Sequence, residues 1–239
     1  FDLSQITGKS GVPLLAALAG GTAIFLIYDN VEVSKRLTGA GWVALAVWLL
    51  VSTLRYIGPL NKLAGSFLRL GKNQKSMVLA HIGMGIAILG MVGSGLLAQE
   101  REVLMARGES VSVGPYILKL TDLSPVIGPN YTAIEAGFNV TKKGSGAQVT
   151  TLRPQRRTYT IAQAKTTETA IQTGIKDAIY IALGEADLGQ STANEDQLSD
   201  RKWIVRAQYH PLIAFLWMGM GLVVLASLVH IPLRKALSP

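Results

Sequence analysis

The sequence predicts an α-helical membrane protein with an inserted all-β domain outside the cytoplasm. Only 16% of its 239 residues are charged, against about 25% in a typical soluble domain. Four apolar runs approach the length of a helix that crosses a bilayer. A third observation predicts the β domain: residues 99–210 contain short runs of alternating apolar and polar residues, separated by turn residues.

The apolar runs predict four transmembrane helices at about residues 11–28, 40–60, 77–98 and 211–233. The second run contains Arg55, and the other three contain no Asp, Glu, Lys or Arg. A helix of this length in a soluble protein normally shows a polar stripe, and these runs show little of one. We therefore expect three helices within residues 1–98, and a final helix followed by a tail within residues 211–239.

The excess of basic residues predicts the orientation of these helices. Residues 59–76 contain four basic residues and no acidic one, and the tail contains Arg234 and Lys235. Residues 99–210 carry thirteen basic and twelve acidic residues and are nearly neutral. Because Lys and Arg accumulate in cytoplasmic loops, we expect the loop at 59–76 and the C-terminus to be cytoplasmic. Residues 99–210 are then expected in the periplasm or an equivalent compartment.

The segment at 99–210 is predicted to fold as a small antiparallel barrel or sandwich. Candidate strands are 111–113, 116–120, 136–141, 149–152, 158–161, 178–183 and 203–209. Residues 187–200 are polar and are predicted to form a loop. The charged residues around Glu100 and Arg107 are interpreted as a solvated stretch beside the membrane. Trp203, Tyr209, Phe215 and Trp217 are interpreted as an aromatic belt where the chain re-enters the membrane, or as a partner surface.

Several classes of function are excluded by what the sequence lacks. The absence of Cys excludes a disulfide scaffold, and also a zinc–thiolate site or an iron–sulfur cluster held by this chain alone. The sequence contains no GxSxG, HExxH or GxxxxGK[ST] motif. Basic residues interleaved with aromatic ones are also absent, so no nucleic-acid partner is expected. We assign no catalytic residue.

His81 is the main candidate site residue, because it lies inside the third apolar run. An ionisable side chain in a membrane helix is costly and is usually kept for a partner, a proton or a metal. Gly85 lies one turn further along and could leave room for a flat macrocycle. The alternative is that His81 and the small residues of this helix only pack against neighbouring helices. His210 and His230 lie near the ends of the last run, where a structural role at the interface is the simpler interpretation.

A series of motifs over about 160 residues resembles the CcmF family of bacterial cytochrome c maturation proteins. The motifs are, in order, Ala80-His81-Ile82-Gly83, Glu102-Val103, Gly108-Glu109-Ser110-Val111, Gly128-Pro129-Asn130-Tyr131, Pro154 with Arg157 and Tyr159, Thr167 to Ile171, Gly174 to Asp177, Tyr180, Leu183-Gly184-Glu185, and Trp203, Val205, Arg206, Tyr209, Pro211 and Trp217. The first two helices fit the family only loosely, and the family's Trp-rich WWD-like run is not found. The resemblance implies a C-terminal portion of such a protein, or one subunit of a split one.

The resemblance implies a site and a cofactor. Members of the family hold a haem b between two transmembrane His, and the His of the AHxG-like motif corresponds to His81. That makes His81 an axial ligand of the haem iron, with the second axial ligand supplied by another part of the protein or another chain. Such a haem could pass an electron to the iron of the haem that is being attached. The implied location is the bacterial inner membrane.

The resemblance also implies a reaction and partners. It implies a part in a cytochrome c haem lyase complex, which attaches haem to the CxxCH thiols of apocytochrome c. Expected partners are the rest of CcmF, the haem chaperone CcmE, CcmH/CcmI-type subunits, apocytochrome c and the lipid bilayer. Two alternatives stay open: a scaffold or docking subunit of the same assembly that binds no haem, and the paralogous haem lyase subunit for nitrite reductase maturation.

Overall fold

The computed structural model describes residues 3–29, 31–187 and 201–230, and the chain divides into two compact units. The helical unit comprises Phe1–Leu97 and Pro211–Pro239. The β unit comprises Ala98–His210. The predicted C-terminal tail lies outside the described residues, as does the predicted loop from residue 188 to residue 200.

In the helical unit, α1 packs against α2, α2 against α4, and α4 against α5. The described helices are α1 (Leu3–Ile27), α2 (Val33–Ile57), a 3-10 turn at Leu60–Lys62, α3 (Leu63–Arg69), α4 (Lys72–Leu96) and α5 (Ile213–His230). By length and composition α2 and α4 could each cross a bilayer. The apolar parts of α1 and α5, Gly11–Ile27 and Ile213–Val229, are shorter. The four transmembrane spans therefore stay a prediction.

The helices α2 and α4 begin earlier than their apolar runs, and polar groups near their first turns find partners. Residues at the start of α2 include Arg36, whose Nε donates to the carbonyl oxygen of Phe25 at 3.0 Å. Its guanidinium also lies 4.2 Å from the centre of the Phe25 ring. Arg36 therefore supplies a hydrogen-bond donor to a carbonyl oxygen in the last turn of α1, which has no partner within the helix. At the start of α4, the backbone N–H of Gly71 donates to Oε1 of Gln74 at 3.0 Å. The predicted loop at 59–76 contains α3, which the charge pattern alone did not indicate.

Glycines let these helices approach closely. A Cβ added at Gly83 would lie 2.7 Å from the backbone oxygen of Gly219, and one at Gly90 would overlap the backbone of Leu216. A Cβ added at Gly85 would lie 2.6 Å from Leu50 in α2. The interpretation of Gly85 as room for a macrocycle is therefore wrong, because Leu50 fills that space. Gly85 serves the packing of α4 against α2.

The β unit is a sandwich of two antiparallel sheets. Its strands are β1 (Gln99–Met105), β2 (Ser110–Val113), β3 (Tyr116–Ile127), β4 (Tyr131–Lys142), β5 (Gln148–Leu152), β6 (Gln155–Tyr159), β7 (Lys165–Glu168), β8 (Ala170–Thr173), β9 (Asp177–Ala186) and β10 (Trp203–Pro211). One sheet has the order β1-β10-β9-β8, and the other has the order β2-β3-β4-β6-β7 with β5 added beside β4. Alternate residues such as Leu120, Phe138, Ile181 and Val205 are fully buried between them.

The interpretation of the stretch around Glu100 was incomplete, and that of Trp203 was wrong. The residues around Glu100 are exposed, as expected of a solvated stretch, and they also form the strand β1, in which Glu100 lies opposite Gln208 of β10. Their charges do not prevent pairing, because β1 is an exposed edge strand. Trp203 is buried in the core and lies opposite Met105, six residues along β10 from Tyr209. That spacing corresponds to about 20 Å of extended strand, so Trp203 belongs to no belt with Tyr209.

Candidate functional site

His81 lies on α4 with its side chain exposed. Its Nδ1 is 2.8 Å from the carbonyl oxygen of Met77, one turn earlier in the same helix. A carbonyl oxygen only accepts hydrogen bonds, so Nδ1 must be the protonated nitrogen. This bond fixes the tautomer and leaves the lone pair of Nε2 available to a metal.

The imidazole lines a cavity of about 270 Å³ between α2 and α4. The lining residues are mostly aromatic or apolar, with three hydroxyl groups among them: Trp48, Leu49, Ser52, Thr53, Tyr56, Met77 and His81. The hydroxyl of Thr53 donates to the carbonyl oxygen of Leu49 at 2.7 Å and is satisfied within α2. A neutral imidazole at the side of an apolar cavity is suited to a metal-centred macrocycle, because the wall reduces the access of water to the metal.

One rim of this cavity contains a fixed phenol. Gln74 donates from Nε2 to the phenolic oxygen of Tyr56 at 2.9 Å, while its Oε1 accepts the backbone N–H of Gly71. Sequence reasoning missed Tyr56 and Gln74. The available signal was the four-residue spacing of Trp48, Ser52 and Tyr56, which places them on one face of α2.

Of the other two histidines, the one whose side chain the structure describes, His210, does not line this cavity. His210 lies in the β unit, where its ring meets the edge of Tyr180 at a centroid distance of 5.3 Å. His230 is the last described residue of α5, and its side chain is outside the description. No group of three or more His, Asp or Glu side chains in the described ranges is arranged to hold a metal ion.

The β unit contains a polar cluster that the sequence did not indicate. The hydroxyl of Tyr116 donates to the Asp177 carboxylate, with oxygens at 3.1 and 3.2 Å. Burial, together with the negative charge of Asp177, raises the pKa of Tyr116 to about 12. Burial and the same carboxylate also raise the pKa of Tyr209. These groups come from β3, β9 and β10, so the cluster ties the two sheets together at one end.

Ion pairs cover the outer faces of the sandwich. Glu100 contacts Arg206 at 2.5 Å across β1 and β10. Hydrogen bonds from Arg206 and then Gln208 hold the pKa of the Glu100 carboxyl below its usual value. Glu135 pairs with Arg153 at 2.8 Å, and hydrogen bonds from Gln155 and Arg153 lower its pKa. Charges in matched pairs between adjacent strands fit a structural role better than acid–base chemistry.

Comparisons of this chain with a family model and with curated relatives all indicate the same family. Residues 96–211 match the model described as the CcmF C-terminal beta-sandwich. The chain is 31% identical over 222 residues to the cytochrome c-type biogenesis protein CcmF of Escherichia coli, covering 89% of this chain and 30% of that protein. It is 28% identical over 212 residues to CcmF of Haemophilus influenzae, covering 89% of this chain and 31% of the relative.

Two further comparisons concern a second kind of cytochrome c-type biogenesis protein and the fold. The cytochrome c-type biogenesis protein NrfE of Haemophilus influenzae is 31% identical over 189 residues, or 79% of this chain and 26% of NrfE. A solved structure of the cytochrome c haem lyase CcmF superposes with a TM-score of 0.64 at 17% identity, over 92% of this chain and 34% of that one. The chain thus spans about 30% of the length of the curated CcmF relatives described above. The expected sandwich is confirmed.

Proposed function

This chain belongs to the CcmF family as a C-terminal portion, and on that premise we propose that it serves haem attachment to apocytochrome c by ligating a b-type haem through His81. The observation that carries the proposal is the hydrogen bond from Nδ1 of His81 to the carbonyl oxygen of Met77. It leaves Nε2 free to bind iron at an apolar cavity. The attachment reaction joins haem to the CxxCH thiols of apocytochrome c.

The residues around His81 fit one face of a haem. A neutral imidazole is a common ligand of haem iron, and Trp48, Leu49 and Met77 would give an apolar wall beside it. No second imidazole lines this cavity among the side chains that the structure describes. A second ligand to such a haem would come from another part of the protein or another chain, as the family resemblance implies. When bound, such a haem supplies one-electron redox chemistry, which would keep the incoming iron ferrous. In this proposal His81 would bind the haem iron and fix the position of the group.

We also propose that the helical unit lies in the bacterial inner membrane. Large apolar side chains are exposed on its outer helices: Leu15 and Leu26 on α1 are 68% and 65% exposed, and Trp217 on α5 is 69% exposed. A soluble protein rarely leaves contiguous apolar surface of this kind uncovered, whereas lipid would cover it. The basic loop at 59–76 supports an orientation with the C-terminus in the cytoplasm and the β unit in the periplasm.

The β unit is proposed as the part that meets other proteins of the assembly. Its expected partners are the haem chaperone CcmE, CcmH/CcmI-type subunits and the apocytochrome, while the helical unit meets the rest of CcmF. Support comes from the two relatives described as cytochrome c-type biogenesis proteins CcmF and NrfE. Whether this chain serves the general or the nitrite reductase pathway stays open, since both relatives are 31% identical to it.

The test is a reduced-minus-oxidised absorption spectrum of the complete assembly, for wild type and His81→Ala. We expect a six-coordinate low-spin b-type signal in the wild type and its loss in the variant. His210→Ala is the matched control, because it removes an imidazole from the β unit instead. It should leave the signal in place.

The scaffold hypothesis predicts a different result. If His81→Ala keeps the wild-type spectrum while deletion of residues 99–210 abolishes partner binding, this chain is a docking subunit without a haem ligand. Among the described residues, glycines carry the tight helix contacts and His81 is exposed. That arrangement favours the ligand role over a packing role for His81.

A further inference from the structure

We propose that the Tyr56 phenol donates a hydrogen bond to a carboxylate of the macrocycle that His81 binds. The inference rests on the proposed function, because it needs a metal-centred ligand with acidic side groups in this cavity. It assigns the polar rim of the cavity a role in orienting that ligand. Tyr56 is thus a positioning residue, distinct from the iron ligand.

The phenol oxygen is held in place by a chain of hydrogen bonds. Gln74 uses both ends of its amide: Oε1 accepts from Gly71 at 3.0 Å, and Nε2 donates to Tyr56 at 2.9 Å. The Tyr56 oxygen is therefore an acceptor in this contact, and its own hydrogen is left to donate elsewhere. No described residue takes that hydrogen, and the Tyr56 side chain is about half exposed at the cavity.

The spacing of the two groups suits a ligand that has a metal at its centre and carboxylates at its edge. Gln74 precedes His81 by seven residues, which is about 10 Å along the axis of α4. The phenol bonded to Gln74 therefore lies toward that end of the cavity, two turns from the imidazole. Haem carries its two propionates on one edge, at a comparable distance from the iron.

Two hydroxyl groups of the cavity, those of Ser52 and Tyr56, could meet a carboxylate, because the Thr53 hydroxyl is already donated within α2. Ser52 precedes Tyr56 by one helical turn, about 6 Å, so Tyr56 is the one nearer to Gln74. The wall also contains the apolar side chains of Trp48, Leu49 and Met77. In such surroundings a hydrogen bond to a charged group is stronger than in water. The Tyr56 phenol is therefore suited to fix the direction in which the acidic edge of the macrocycle points.

The experiment measures the rate at which haem leaves the complete assembly for an excess of apomyoglobin. Tyr56→Phe should keep the low-spin spectrum, because His81 is untouched, and should release haem about tenfold faster, as expected for losing a hydrogen bond to a charged acceptor. Tyr28→Phe is the matched control. It removes a phenol from the same unit but outside this cavity, and it should release haem at the wild-type rate.

Reconstitution with haem dimethyl ester, whose propionates are methylated, tests the acceptor without any variant. The wild-type assembly should release the ester about tenfold faster than haem, and Tyr56→Phe should add no further loss. Equal release of haem and ester by the wild type, or equal release of haem by wild type and Tyr56→Phe, would overturn the inference. Loss of the spectrum in His81→Ala would then still support the proposed function, whereas its retention would remove the function and the inference together.

Discussion

The Nδ1 atom of His81 lies 2.8 Å from the backbone oxygen of Met77. Because the acceptor belongs to the backbone, the orientation of the imidazole does not depend on the side chain at position 77. The same bond sets the tautomer of the neutral ring, since only an Nδ1 that carries hydrogen can donate to a carbonyl. Under the proposed function, Nε2 is therefore the nitrogen that would face the iron.

This arrangement predicts chemical rescue of His81→Ala. The cavity is open, so free imidazole should enter it and restore the low-spin spectrum that the variant loses. His210→Ala is the control: the imidazole that it removes lies in the β unit, so its spectrum should match the wild type with or without added imidazole. A low-spin spectrum in His81→Ala without added imidazole would contradict ligation by this residue.

The cluster of Tyr116 and Asp177 predicts an alkaline limit to stability. The pKa of Tyr116 is raised to about 12 from an ordinary value of 10. A raised pKa means that folding favours the protonated phenol, so its contribution is complete below pH 10 and is lost as the pH rises through about 12. Thermal unfolding of the whole chain in detergent should show a midpoint that falls over this range.

Substitution of the same residue isolates its contribution. Tyr116→Phe should lower the free energy of unfolding near neutral pH by about 1–2 kcal/mol, because a hydrogen bond to a carboxylate is removed. It should also reduce the fall in the thermal midpoint at alkaline pH. Tyr159→Phe, which changes another tyrosine of the β unit, should leave that fall unchanged. An unchanged alkaline profile in Tyr116→Phe would show that a different group titrates.

The sequence predicted the strands in which apolar, core-facing residues alternate with polar, solvent-facing ones. Residues 116–120 and 203–209 alternate clearly, and both segments lie in long strands, β3 and β10. The strands β7 and β8 were missed, because each has only four residues, all of them polar in β7 and only two of them apolar in β8. Residues 158–161 were placed too late, since Ile161 lies in a turn and is 94% exposed. A single apolar residue therefore misplaced the end of β6.

The candidate site was predictable only in part. His81 is visible from sequence because an ionisable residue interrupts an apolar run. Tyr56, which lines the same cavity, lies on another helix, and Tyr116 is separated from Asp177 by 61 residues. Pairings of this kind depend on which helix or strand becomes the neighbour. The error over Gly85 has the same origin, since its face was inferred correctly but Leu50 was not known to occupy it.

The close approach of α4 and α5 predicts opposite effects for two glycine substitutions in one helix. Gly90→Ala would force a Cβ into the backbone of Leu216, and overpacking of this kind costs about 1–3 kcal/mol. Gly95→Ala meets nothing within 4 Å, so it should stabilise α4 by up to about 1 kcal/mol. Thermal midpoints in detergent should therefore move in opposite directions. A fall of equal size in both variants would argue against close packing at Gly90.

The proposed topology can be tested with single cysteines, because the native chain has none. Ser145→Cys places a thiol in the exposed turn between β4 and β5, and Asn73→Cys places one in the exposed first turn of α4. A maleimide that cannot cross the inner membrane should label Ser145→Cys in cells with a permeabilised outer membrane. It should label Asn73→Cys only after the inner membrane is opened. The reverse pattern would contradict the orientation inferred from the basic loop, because that loop would then face the periplasm.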